Sequence, residues 1–164
     1  MRTSILLAAA ALTLSACATT RTTPPVAAPA AATRITYDTS ACYGTCPVYS
    51  VMVDTGSGAG EFVGTQHVAA SGITRFQATP AQARAFGEAV AELRTVAGEG
   101  IVPESPRCRT LVSDMPGLTV TWQAGSEQTV KRVDYGCFDE ANKALFARLR
   151  NAPGLLPIAA LIGK

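Results

Sequence analysis

Five cysteines and one histidine are the residues of this sequence best suited to chemistry. Two of the cysteines, Cys42 and Cys46, share the stretch Ala41-Cys42-Tyr43-Gly44-Thr45-Cys46-Pro47-Val48-Tyr49. Thiols at this spacing can close a small disulfide ring, exchange disulfides with a partner, or hold a soft metal such as copper together with an imidazole. The two active uses need a perturbed thiol, and a helix N-terminus is the usual means of lowering its pKa. Here Pro47 leads instead into a run whose alternation, with Tyr49, Val51 and Val53 against Ser50 and Asp54, is that of a half-buried strand. No helix dipole is therefore expected at either sulfur. His67, the single histidine, would have to reach this corner to complete a copper trio. Alone it makes no zinc site, and beside paired cysteines it has no nucleophile to serve. A structural disulfide is the preferred reading of the corner, and thiol-redox or copper handling by Cys42 and Cys46 is the alternative.

Cys17 belongs to a different pattern. Met1-Arg2 is a short positive segment, and residues 5–14 are an apolar run rich in Leu and Ala. The run is shorter than the roughly 20 residues needed to span a bilayer and suits the core of a secretory signal. It ends in Leu14-Ser15-Ala16-Cys17, which resembles the lipobox of bacterial lipoproteins. That resemblance implies cleavage after Ala16 and lipid attachment at Cys17. Ala18 follows, so an inner-membrane retention aspartate is absent and the Gram-negative sorting rule implies the periplasmic face of the outer membrane. Several acyl chains, each CH₂ contributing about 0.8 kcal/mol when buried, make a stable anchor where one chain does not. Residues 18–33 are mostly Ala, Thr and Pro, too poor in large apolar residues to fold, and read as a linker. The expected organisation is a signal peptide over 1–16, a lipidated linker over 17–33 and one domain over 34–164.

Fourteen basic residues against twelve acidic ones leave a balance near neutral, without a cationic cluster for nucleic acid. With Cys17 lipidated, Cys42, Cys46, Cys108 and Cys137 remain. In an oxidising compartment an even number reads as two disulfides with three possible connectivities, of which proximity favours Cys42–Cys46 and hence Cys108–Cys137.

The elements that must position these residues follow from pattern. Residues 34–37 read as a short edge strand, 48–54 as a strand, 56–60 as a glycine turn, 61–63 as the returning partner and 66–70 as a weaker third strand. Thr79-Pro80-Ala81-Gln82 starts a helix with a capping box and Pro at the first turn. Its stripe is Ala83, Phe86, Val90, Leu93 and Ala97, and Gly98 stops it. Residues 98–109 read as a loop, 118–123 and 129–135 as a hairpin, and 138–150 as a second helix with Asp139 and Glu140 in its first turn, as the helix dipole prefers. The tail 155–162 is expected to pack back. The fold class expected is α+β: a small antiparallel sheet, in strands–helix–hairpin–helix order, covered on one face by two helices.

The pattern C-Y-G-T-C-P-V-Y, followed by a Val-Met-Val strand and a glycine turn, resembles a family of bacterial envelope domains of uncharacterised function. Their pattern is C-[aromatic]-G-x-C-P-x-Y, and the resemblance covers about residues 35–150. It implies a domain type and no activity. Cys108 and Cys137 are additions to the expected family pattern. The glycines of 56–60 lack the Gly-Lys-Ser/Thr and following helix of a phosphate loop. Glu104, Arg107, Arg109 and Asp114 read as solvated loop charges, and Trp122 and Tyr135 as core aromatics. The expectation is a non-enzymatic binding or structural module without catalytic, cofactor or metal residues. Its partners are the membrane, through the lipid, and an envelope protein or cell-wall component, with no nucleic acid.

Overall fold

The structure is a computed structural model that describes residues 33–163. The expected signal peptide, the lipid site Cys17 and the linker up to residue 32 lie outside these residues. The chain runs β1 (Arg34–Thr39), β2 (Val48–Asp54), β3 (Ala59–Gln66), β4 (Gly72–Gln77), α1 (Pro80–Thr95), β5 (Gly100–Ile101), β6 (Gly117–Ala124), β7 (Glu127–Asp134), α2 (Lys143–Asn151) and α3 (Ala159–Ile162). Short 3-10 turns at Glu140–Asn142 and Ala152–Leu155 flank α2.

All seven strands form one sheet in the order β4-β3-β2-β1-β6-β7-β5. Neighbours are antiparallel except β5 and β7, which are parallel. This overturns the expected small antiparallel sheet covered by two helices: the sheet is larger and mixed, strand dominates, and the helices are short. Three local causes explain the difference. β4 sits at an edge with every residue at least partly exposed, and its two large apolar residues, Ile73 and Phe76, fall on opposite faces, so it shows no alternation. β5 has only two residues, and Gly100 (φ +126°) is what lets it lie against β7, because a Cβ there would meet the Arg132 carbonyl. The segment read as a second helix from residue 138 winds first as a 3-10 turn, leaving nine residues of α2.

The strand expected over 66–70 is a bend, and β1 is central instead of an edge. Tyr37 of β1 stands opposite Val51 of β2 and Val120 of β6. The alternation that builds β2 and β6 therefore also frames β1, and Ile35, Tyr37, Tyr49, Val51, Val53, Phe62, Leu118, Val120 and Trp122 are all buried. Against them pack Phe86, Val90 and Leu93 of α1, Leu145, Phe146 and Leu149 of α2, and Leu156 and Ile158 of the tail. The β2–β3 turn is fixed by Asp54, whose Oδ1 accepts from the backbone N–H groups of Ser57 (2.8 Å) and Gly56 (3.1 Å). Chiefly the Ser57 N–H holds that carboxyl below its usual range.

Candidate functional site

At the end of the sheet where β1 stops and β2 starts, the chain makes its cysteine corner. Cys42 and Cys46 are joined by a disulfide, with Cα atoms 5.7 Å apart. Gly44 (φ +142°) takes a conformation that other residues rarely adopt, which lets the ring close over three intervening residues. Thr39 locks the base of the corner: its hydroxyl accepts from the Tyr49 N–H (2.9 Å) and reaches the Pro47 carbonyl (3.0 Å). The 110–116 loop holds the corner from outside through Tyr43 N–H to the Asp114 carbonyl (3.1 Å), and the Ser40 N–H donates to the carbonyl of Gly117, the first residue of β6 (3.1 Å). Tyr43 itself is 90% exposed.

Beside this corner opens a cleft of about 180 Å³, walled by Cys46 and Pro47, by Tyr37, Tyr49 and Tyr135, and by Arg150 at its mouth. Tyr37 stacks on Tyr49 (6.4 Å), Tyr49 in turn stacks on Phe62 (5.4 Å), and separately Tyr135 meets Phe146 edge to face (5.1 Å), the two phenylalanines lying outside the lining. The Arg150 guanidinium lies 4.3 Å from the centre of the Tyr135 ring. Burial pushes all three phenols above their usual range. The Tyr37 hydroxyl donates to the Leu149 carbonyl (3.0 Å), tying β1 to α2. The Tyr135 hydroxyl is buried beside that of Tyr37, close enough for each to affect the other's ionisation.

A larger groove of about 520 Å³ runs between α1 and the opposite end of β1, over Ile35, Gly87 and Ala91. It is broad and open. The smaller cleft is the better candidate because it adjoins the cysteine corner and combines three tyrosines with a cation, Arg150.

The second disulfide, Cys108–Cys137, pins the long loop before β6 to the end of β7 (Cα atoms 4.7 Å apart). Around it two of the four loop charges, Arg107 and Arg109, are engaged, while Glu104 and Asp114 are exposed as expected. The Arg109 and Thr110 N–H groups donate to Asp139 Oδ2 (2.7 and 3.3 Å), and the Arg109 guanidinium pairs with Oδ1 (3.3 Å). Asn142 donates to the carbonyls of Arg107 (2.7 Å) and Cys137 (3.0 Å), while Arg107 Nε donates to Asn142 Oδ1 (3.1 Å). Asp139 thus caps this loop and makes no side-chain cap bond to the turn that follows it. The Arg109 N–H, first among its neighbours, holds its carboxyl below the usual range.

The Val48–Gln66 pairing brings His67 to the sheet end that carries the corner, where it is exposed with φ +53°. Among the described residues no three His, Cys, Asp or Glu side chains gather as metal ligands. Trp122 and Tyr135 are both buried, but Tyr135 also belongs to the cleft. Sequence reasoning missed the cleft because Tyr37, Tyr135 and Arg150 are far apart in the chain and only the β1–β6 pairing and α2 bring them together. The one usable signal was a Tyr on each candidate strand beside the corner.

Residues 33–153 match the family described as a domain of unknown function, DUF6438. The chain belongs to that family. No curated protein matches it. The matched span holds every element that builds the corner and the cleft, from β1 to the end of α2.

Proposed function

We propose that this DUF6438 chain is a non-enzymatic binding module of the Gram-negative envelope, tethered through lipid on Cys17 to the periplasmic face of the outer membrane. The observation that carries the binding role is the cleft beside the cysteine corner, lined by three tyrosines and one arginine, Arg150. A site of this kind, apolar with a few polar groups, suits recognition. Acid–base catalysis asks for a group poised near the working pH. Here the buried phenols are pushed up and Asp54 and Asp139 down, each away from neutrality. The Cys42–Cys46 bridge, backed by the Thr39 hydrogen bonds, serves as the rigid wall of the cleft.

The test joins the anchor and the corner. Labelled fatty acid should enter the wild-type chain and be lost in Cys17→Ser, and label retained in that variant removes the tether. The purified chain should neither catalyse thiol–disulfide exchange nor, once reduced, bind copper(I) through Cys42 and Cys46. Exchange or copper transfer that disappears in Cys42→Ser/Cys46→Ser at unchanged fold and abundance would replace the binding role with thiol or copper chemistry.

A further inference from the structure

We propose that the groove beside α1 is the seat of this chain's own linker, with residues 26–32 docked in it as an extended strap. The segment is Val26-Ala27-Ala28-Pro29-Ala30-Ala31-Ala32, directly before the described fold. The inference is independent of the cleft at the cysteine corner.

The point where the chain enters the fold selects the occupant. Thr33, the first described residue, itself lines the groove, and so does its partner Thr55. Thr55 Oγ1 accepts from the Thr33 N–H (3.2 Å) and donates to the Thr33 carbonyl (2.9 Å). The Thr55 N–H donates to the same carbonyl (3.0 Å). The chain therefore leaves the fold from within the groove wall. A segment attached there has an effective concentration of about a millimolar or more, which a free partner must exceed.

The groove fits a narrow chain of small residues. Pro80, Arg84, Gly87, Ala91 and Arg94 follow one face of α1 and give it a length of about 21 Å. Its charged residues, Arg84, Glu88 and Arg94, are exposed, whereas Ile35 and Trp122 are buried, so its depth is apolar. At about 3.1 Å per residue, a polyproline II chain covers that length in about seven residues. Seven residues back from Thr33 is Val26. With three residues per turn, Val26, Pro29 and Ala32 share one face, which gathers the two side chains larger than alanine. Alanine and proline lose almost no side-chain freedom on burial, and proline fixes its φ in advance. A sequence too poor in apolar residues to fold alone can dock on a surface already built.

Gly87 is a second sign of an occupant. Glycine inside a helix weakens it about fivefold relative to alanine. The packing around Gly87 does not require it, because a Cβ there would stand at ordinary contact distance from Ile35 Cδ1 (3.5 Å) and Thr55 Cγ2 (3.6 Å). The bare backbone leaves the middle of the groove open to a closely lying chain.

The consequence concerns the tether, and this part rests on the lipid at Cys17 proposed above. Docking leaves residues 18–25 as the free spacer in place of 18–32, an extended reach of about 25 Å in place of about 47 Å. The strap sets how far the domain stands from the membrane.

The experiment is NMR of the isotope-labelled full chain in detergent, with the emission of Trp122, the single tryptophan, as a second readout. Nuclear Overhauser contacts should join Val26 and Pro29 to Trp122 and Ile35, and backbone order parameters over 27–32 should approach the rigid value of about 0.85. Val26→Ser/Pro29→Gly should remove the contacts, lower the order parameters below about 0.6 and shift Trp122 emission to the red, with the remaining spectrum unchanged. Gly87→Leu, which fills the groove from the helix side, should release the strap in the same way while α1 stays folded. Order parameters below about 0.6 in the wild-type chain, without contacts to Trp122 or Ile35, overturn the docking. Trp122 signals that depend on concentration, with a dimer in sedimentation, give the groove to a second copy and overturn it as well. Cys17→Ser should leave all these readouts unchanged, which keeps this test apart from that of the anchor.

Discussion

Asp139 carries more of the local architecture than its place in the sequence suggests. Two backbone N–H groups and one guanidinium, all from residues 109 and 110, converge on its carboxylate, so the charged form is favoured in the fold. A carboxyl whose folded pKa is depressed adds stability in full above its unfolded value, about 3.9. That stability is lost as pH falls from there through the lowered native value. Asp54 acts with the same sign. The wild-type denaturation midpoint should therefore drop steeply below about pH 4. Asp139→Asn should be less stable at pH 7 and show a shallower acid loss, with the residual slope coming from Asp54. Denaturant titrations at pH 7, 5 and 3 read this directly, and parallel curves for the two proteins would contradict it. Gly64 makes a second residue-scale case. It is buried on β3, and a methyl there would collide with the Ala70 carbonyl oxygen and crowd Val68. Because the obstacle is backbone, the 68–70 bend must move, and it is held by bonds from Ala69 and Ala70 N–H to Ile162 and Leu161 carbonyls. Gly64→Ala should cost about 1–3 kcal/mol, the usual range for overpacking, and should loosen α3, seen as faster hydrogen exchange at Ala69 and Ala70.

At the scale of elements, α1 is the one whose start was fully legible. Thr79 Oγ1 accepts from the Gln82 N–H (3.2 Å), and Gln82 Oε1 accepts from the Thr79 N–H (2.9 Å), a closed capping box with Pro80 in the first turn. Thr79→Ala should lower stability by about 1 kcal/mol in chemical denaturation, with Thr79→Ser nearly neutral. A loss shared equally by both variants would mean that the methyl group, and not the cap, matters. The elements that were legible are those whose own residues carry the signal: the alternation of β2 and β6 and the cap and stripe of α1. Those that were not depend on partners distant in sequence. β4 has only an edge to occupy, β5 exists because Gly100 can approach Arg132, and β1 looked peripheral until β6 was placed on its other side. The second helix lost its first turn for a similar reason, since Asp139 is drawn to the 109–110 backbone thirty residues earlier. The cleft depends on that same long-range assembly. Cys46 and Pro47 were visible as a corner, but Tyr135 and Arg150 become its neighbours only when β7 and α2 are in place.

For the molecule as a whole, the two disulfides do different work. Cys42–Cys46 closes a five-residue ring at the rim of the sheet, among residues that are exposed or half-buried. Cys108–Cys137 joins positions 29 residues apart, and Cys137 is fully buried in the core cluster beside the Asn142 and Asp139 network. Chain entropy alone assigns about 2 kcal/mol to the smaller ring and about 3.7 kcal/mol to the larger. Burial widens the gap, because opening the second bridge also unpacks Cys137 and slackens the loop that Asp139 and Asn142 hold. That loop in turn supports the corner through the Asp114 carbonyl and the cleft through Pro116. Cys108→Ser/Cys137→Ser should therefore be the less stable double variant by more than 1 kcal/mol and should also disturb the Tyr37, Tyr49 and Tyr135 signals at the far end of the loop. Cys42→Ser/Cys46→Ser should lose less stability and confine its spectral changes to the corner and the adjoining cleft wall. Denaturant midpoints and two-dimensional NMR spectra of the two variants provide the comparison. A reversed order of stability would mean that the small ring, and not the long loop, holds the corner end of the sheet together.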